Sequence, residues 1–333
     1  MAVDGDAGSV DVLIVENVDD EPFRSPDLGW RVRRDPDLWS QPERLLAAVG
    51  RCRALVVRNQ TTVDARLLAA AGRLEVVARA GVGLDNIDLA AAAERGVVVI
   101  SPTGANARSV AEHTLGLALA LARRTVTADR DARAGRWVRT AGTEIGGGTW
   151  GLIGVGATGR AVATLARGLG CRVIGYDPNV QPGDAPAAAA GVQLTTLDAV
   201  AHQSDVLSIH VPATPATRGM VDARFLARMR DGSLLVNVGR GEVIDEPALV
   251  AALRRGRPAG AALDVRASEP PVLGELEQLD SVILTPHIAG ITRQSQQRIG
   301  ALLASDIAAV LAGDEASHAV GSVRRHRLAD RSR

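Results

Sequence analysis

The stretch Thr149–Arg160, TWGLIGVGATGR, decides the fold. Its apolar start runs into Gly154, Gly156 and Gly159 in G-x-G-x-x-G spacing, and RAVATLARGLG follows with helix-forming residues. Such glycine spacing is weak by itself; a strand before it and a helix after it supply the context its mechanism demands. Gly154 permits a tight turn, Gly156 lets backbone approach a pyrophosphate, and Gly159 lets the helix pack closely. The helix N-terminus, opening at Ala157 and Thr158, offers unpaired N–H groups and a positive dipole end. The next apolar run, CRVIGYD, ends in Asp177, eighteen residues after Gly159. A carboxylate there accepts both hydroxyls of an adenosine ribose and repels a 2′-phosphate, so NAD is expected rather than NADP.

Working outward, short apolar runs alternate with helical patterns along the whole chain, the signature of βαβ units and parallel sheets. VDVLIVE, ALVVR, LEVVAR and GVVVI read as strands in the first hundred residues, with helices at QPERLLAAVG, TVDARLLAAAG and NIDLAAAAERG. After Ser101-Pro102-Thr103-Gly104 comes SVAEHTLGLALALARR, an apolar helix suited to connecting two bodies. TWGLIGVG then opens a second series, continued by CRVIGYD, DVLSIHVP, SLLVNVG, GAALDV and SVILTP, about six strands in all. ITRQSQQRIGALLASDIAAVLAG reads as one long helix that can return to the first body, and the tail VRRHRLADRSR as solvated and frayed.

Composition narrows the function classes. The 333 residues exceed what one hydrophobic core supports, so two domains are expected. Lys+Arg and Asp+Glu both total 38, leaving no net field to draw nucleic acid or an anionic membrane. The sequence has no lysine, which excludes Schiff-base chemistry and a Walker-type phosphate site. Its arginine forks suit carboxylates and phosphates. Cys52 and Cys171 are too few for a disulfide framework or a zinc site, and no metal centre is expected. The acidic N-terminus lacks the pattern of a signal peptide, and no apolar run is long enough for a bilayer, so a cytoplasmic protein is expected.

Ligands of open α/β sheets bind beyond the carboxyl ends of the strands. There the second series carries His210, Arg240, Asp264 and His287, with Glu269 in the loop after Asp264. Arg240 can hold a carboxylate and polarise a carbonyl oxygen. An imidazole can take a hydroxyl proton as hydride leaves, and Glu269 can stabilise the imidazolium formed. Spacing alone does not choose between His287 and His210 as the base.

GLIGVGATG, NVGRGEVID, LDVRASEP and LTPHIAG, in that order, resemble the D-isomer-specific 2-hydroxyacid dehydrogenase family, with similarity from about residue 54 to about residue 310. The resemblance implies a catalytic set of Arg240, Glu269 and His287, and moves His210, with Val211 and Pro212, to the adenosine side of the cofactor. It further implies cofactor contacts from Val238, Gly239, Asp264 (to the carboxamide) and Gly290, with Ser109 and Thr217 as weaker candidates. In ARAGVGLDNID, the N–H groups of Val82 and Gly83 would grip the substrate carboxylate; His113 is read as structural. The implied architecture is two Rossmann-like α/β domains. A flavodoxin-like substrate domain (1–101 plus 288–333) is interrupted by a doubly wound NAD-binding domain (102–287), and closure about the two crossings would expel water. A homodimer through the cofactor domain is implied as well.

VVRNQT, RSVAEHTLGLALALAR and RWVRTAGTEI most resemble 3-phosphoglycerate dehydrogenases, in which Arg58 and Arg139 would contact the substrate phosphate. Asn59, Gly148 and Trp150 depart from that pattern, and Trp150 needs extra room in its strand. The chain ends after one returning helix, so a C-terminal regulatory domain is not expected. Glyoxylate or hydroxypyruvate reduction and D-lactate-type oxidation are the alternatives within the class; an NAD-sensing, corepressor-like binding protein is the alternative outside it.

Overall fold

A computed structural model describes residues 9–321; the first eight residues and the basic tail lie outside the described residues. The chain divides into two units, with crossings between Asn106 and Ala107 and between Gly290 and Ile291. These crossings lie a few residues beyond the expected 101/102 and 287/288. The first unit keeps residues up to 106 because Ser101 donates to Gly81 O, Ala105 N–H to Pro102 O, and Arg298 to Ala105 O. The second keeps residues up to 290 because Ile288 and Ala289 N–H both donate to the buried Asp264 carboxylate.

The first unit carries β1 (Val10–Ile14), β2 (Val32–Arg34), β3 (Cys52–Val57), β4 (Val76–Arg79) and β5 (Val98–Ile100). They pair in parallel in the order β2-β1-β3-β4-β5, the flavodoxin-like arrangement, and a short strand at Ala319–Val320 adds antiparallel to β5. β3 is almost wholly apolar, CRALVV, because both faces of the sheet are covered. One face holds Leu13, Leu55, Val57 and Val77; the other holds Val12, Val56 and Ala78 together with Ile299, Leu303 and Ile307 of the returning helix Arg293–Ala312. That helix begins in a capping box between Thr292 and Ser295 and ends at Gly313 with φ +92°.

The second unit carries seven parallel strands: β6 (Thr149–Ile153), β7 (Arg172–Tyr176), β8 (Gln193–Leu194), β9 (Val206–Ile209), β10 (Leu234–Asn237), β11 (Gly260–Leu263) and β12 (Val282–Leu284). Their order, β8-β7-β6-β9-β10-β11-β12, is that of a doubly wound dinucleotide domain, reversing between β6 and β9. β8, only two residues long, carries too little apolar pattern to stand out in the sequence. Trp150 finds its room in a core rich in small side chains, among them Ala118, Ala122, Ala163 and Ala166, and it is fully buried. Its indole N–H donates to Ser208 Oγ on β9 at 2.9 Å. The connector helix, Ala107–Ala122, buries Val110, Ala111, Leu117 and Ala118 in the same core. Among the described residues, no helix is long and apolar enough to cross a membrane.

Candidate active site

The fingerprint glycines lie at the reversal point. Gly154 has φ +96°, and a Cβ on Gly159 would stand 2.1 Å from Gly154 O, so the helix Ala157–Gly168 can approach β6 only with glycine there. Around Gly156 nothing lies within 4 Å of a would-be Cβ, which leaves its backbone open to a pyrophosphate, and Ala157 and Thr158 supply the first helical turn. Asp177, just past β7, accepts from Val155 N–H and Asn179 N–H, both at 2.9 Å. Its carboxylate therefore stands against the fingerprint loop with lone pairs left over for ribose hydroxyls. The cradle fits a dinucleotide, and Asp177 could hold its ribose.

His210 adjoins this loop. Its Nε2 lies 2.8 Å from Ser208 Oγ, which also receives the Trp150 indole N–H, and its Nδ1 has no partner among the described residues. Burial drives its pKa down to about 3, so the ring is neutral at any working pH and unsuited to be the base. Val211 and Pro212 follow it. Thr217 spends its hydroxyl inside its own loop, donating to Pro212 O at 2.6 Å and accepting from Thr214 N–H at 2.8 Å. Gly239 allows the end of β10 to approach β9, since a Cβ there would meet Val211 O at 2.9 Å; Val238 beside it is buried.

The residues expected to react come from three neighbouring strand ends. Arg240 leads off β10 in extended conformation, its Nη1 donating to Gly239 O at 2.8 Å and its carbonyl receiving Asn237 Nδ2 at 2.9 Å. Sequence reasoning missed the next residue, Gly241. A Cβ there would fall 1.9 Å from Arg266 C and 2.3 Å from Ala267 N, so the arginine loop and the glutamate loop can pack together only over a glycine. The signal was present in NVGRGEV, but its partner loop is not adjacent in sequence.

His287 follows β12 with φ +54°, a left-handed conformation that costs a non-glycine residue roughly 1–3 kcal/mol. Its N–H donates to Asp264 O at 2.8 Å, and its Nδ1 meets Glu269 Oε2 at 2.7 Å. With Nδ1 tied to the carboxylate, Nε2 is left to exchange a proton. Burial pushes the Glu269 carboxyl up, but the His287 hydrogen bond and charge, the Arg266 N–H and the Arg240 charge together outweigh it and hold it below the usual range.

Asp264 fixes the loop from behind. Its side chain is 0% exposed, and it accepts from Thr285 Oγ1 at 2.6 Å, Ile288 N–H at 2.9 Å and Ala289 N–H at 2.8 Å. His113, on the connector helix, reaches Thr285 Oγ1 at 3.3 Å and joins this network as a support. Ser109 is buried on the same helix, and Gly290 closes the loop.

The substrate-side residues expected from sequence fall in both units. In the first, Val82 and Gly83 follow β4, and their N–H groups have no partner among the described residues. Arg58 follows β3; its own N–H donates to Glu16 at 2.7 Å, and burial lowers the guanidinium pKa although Glu16 opposes this. Glu16 is thus the charge that acts on its guanidinium. In the second unit, Arg139 is exposed in a run without regular secondary structure beside Trp137, which is 81% exposed.

Fold and site together define a dinucleotide-binding α/β protein with an imidazole–carboxylate pair at its strand ends. Residues 115–289 match the family model for the D-isomer specific 2-hydroxyacid dehydrogenase, NAD binding domain, and the chain belongs to this family of NAD-binding proteins. It is 44% identical over 279 residues to D-3-phosphoglycerate dehydrogenase of Mycobacterium leprae (strain TN), covering 83% of this chain and 52% of that protein. The chain thus spans about half the length of the curated relatives it matches. Among solved structures, the TT0316 protein from Thermus thermophilus superposes with TM-score 0.85 at 33% identity, covering 93% of this chain and 99% of that one. The D-lactate dehydrogenase from Aquifex aeolicus, complexed with NAD and lactic acid, gives 0.79 at 28%, covering 91% and 96%.

Proposed function

We propose that the protein is an NAD-dependent dehydrogenase acting on a D-2-hydroxyacid/2-keto acid pair, with a 3-phosphoglycerate-like acid as substrate. The observation that carries this reading is the 2.7 Å contact of His287 with Glu269 beside Arg240 at the ends of adjacent strands. NAD, when bound, supplies the hydride acceptor. His287 Nε2 takes the substrate hydroxyl proton in oxidation and returns it in reduction, Glu269 stabilises the imidazolium, and Arg240 polarises the developing carbonyl. Because the Glu269 carboxyl is held below its ordinary range, it stays ionised through neutral and mildly acidic pH, and the pair is lost only as pH falls through that lowered value.

Identity of 44% to a D-3-phosphoglycerate dehydrogenase supports the substrate class, as does the half-buried cation of Arg58. In this reading Arg58 and Arg139 bind the phosphate, and Val82 and Gly83 bind the carboxylate through free N–H groups. A cytoplasmic homodimer, assembled through the second unit, completes the proposal.

Turnover of 3-phosphoglycerate, D-lactate, glyoxylate and hydroxypyruvate with each nicotinamide tests it. NAD-dependent oxidation of 3-phosphoglycerate at the highest kcat/KM is expected, with Arg58→Ala raising the KM for that substrate far more than for lactate. Affinity for NADH without turnover of any of the four would place the protein among binding proteins instead.

A further inference from the structure

The loop that carries Glu269 has little to hold it. Val265 and Leu276 are buried at its two ends, but Ala267 to Glu275 are all exposed, including Val272 at 86% and Leu273 at 81%. What anchors its root is an arginine. The Arg266 guanidinium, 10% exposed, donates from Nε to Glu246 Oε1 at 3.0 Å and from Nη2 to Glu246 Oε2 at 2.9 Å, a two-pronged contact, while its Nη1 donates to Glu277. Glu246 also accepts from Ala267 N–H at 3.0 Å, and Glu277 from Gly274 N–H at 2.7 Å. Glu246 opens the helix Glu246–Arg254, and Glu277 sits in the turn Leu276–Gln278, so two elements of the domain grip both ends of the exposed run.

We infer that Arg266 is a positioning residue, whose fork between Glu246 and Glu277 fixes the loop that presents Glu269 to His287. The link to the chemistry is short. Arg266 N–H donates to Glu269 Oε1 at 3.1 Å, which turns Oε2 toward His287 Nδ1. Both clamp carboxylates stay ionised: burial raises Glu246, yet the Arg266 and Ala267 hydrogen bonds outweigh it, and Arg266 holds Glu277 low as well. This inference rests on the acid–base role proposed for His287. The charged groups facing that ring are Glu269, with Arg240 acting on Glu269, and Asp264 with His113 behind the loop.

The experiment is the pH profile of keto-acid reduction by Arg266→Met, alongside NADH affinity. With Glu269 loosened, its carboxyl protonates at higher pH and the imidazolium is stabilised less. The profile is therefore expected to narrow from both sides by roughly 0.5–1 pH unit, with kcat falling about 10-fold and NADH affinity unchanged. Limbs that coincide with those of the wild type, whatever the melting temperature, overturn the inference. Should Arg266→Met not fold, Glu277→Gln removes one prong's partner and is expected to narrow the profile less in the same sense; no movement overturns the inference. If the wild type turns over none of the four acids, the dehydrogenase reading fails and the clamp is tested separately. The NMR signals of the His287 ring are then followed against pH in wild type and variant. Movement of the midpoint to lower pH in the variant supports the clamp, and identical midpoints overturn it.

Discussion

His287 is held in a left-handed backbone conformation that glycine tolerates and that is uncommon for any other residue. Replacing it with alanine removes the ring and keeps the strained turn, so turnover is expected to vanish while NADH titrations stay close to wild type. Activity surviving in His287→Ala would contradict its role as base. Asp177 is the second decisive side chain. Asp177→Ser keeps a hydroxyl near the ribose but removes the charge that repels a 2′-phosphate, and the NADP-to-NAD ratio of kcat/KM is expected to rise at least about 10-fold. At this scale the sequence was informative, because Gly154, Gly159, Asp177 and His287 each carry a chemical demand that few residue types meet. Spacing could not decide between His210 and His287. Burial favours His287, because it keeps His210 neutral against Ser208 and beside Trp150.

At the scale of elements, the alternation of apolar runs and helical patterns located every strand of the second unit except β8, whose two residues carry no period. The helix Thr125–Arg133 also went unread, since none of its residues is buried and it presents no apolar stripe. Contacts between loops were the least legible. Gly241 makes room for Arg266 and Ala267, and nothing in NVGRGEV names LDVRASEP as the loop it meets. Gly241→Ala would press a methyl group into backbone that cannot yield, costing about 1–3 kcal/mol and lowering kcat on the order of 100-fold by shifting Glu269. Circular dichroism melts and steady-state rates check both. Unchanged kcat would mean that the two loops need not touch.

Across the whole chain, the break at Ser101–Gly104 and the helix after Gly290 are the features from which two crossings are expected, and the chain divides after Asn106 and after Gly290, where ties such as Ala289 to Asp264 hold residues to the second unit. Association is a property of this scale. Val126, Trp137 and Val138 are 54%, 81% and 59% exposed in one stretch of the second unit. A groove of about 900 Å³ runs past the starts of β9 to β12, lined in part by Leu121, Ile145, Leu279 and Ile283. The proposed dimer rests on the three exposed apolar side chains, since such side chains grouped in one stretch suit a partner surface, whereas the groove is lined by charged residues as well, among them Arg124, Arg130, Glu144 and Asp280. Light scattering is expected to give twice the chain mass for the wild type and a shift toward the single-chain mass for Trp137→Asp; a monomeric wild type would refute the dimer.

The contrast between Trp150 and Trp137 has an optical consequence. An indole sealed from water emits at shorter wavelength than one in solvent, so once Trp30 and Trp39 of the first unit are replaced by phenylalanine, the two tryptophans of the second unit form separate spectral channels. Because Trp150 is joined through Ser208 to the histidine beside the fingerprint loop, quenching of the blue emission by added NADH reports dinucleotide capture. If the proposed dimer forms over Trp137, the red channel shifts to shorter wavelength as protein concentration rises.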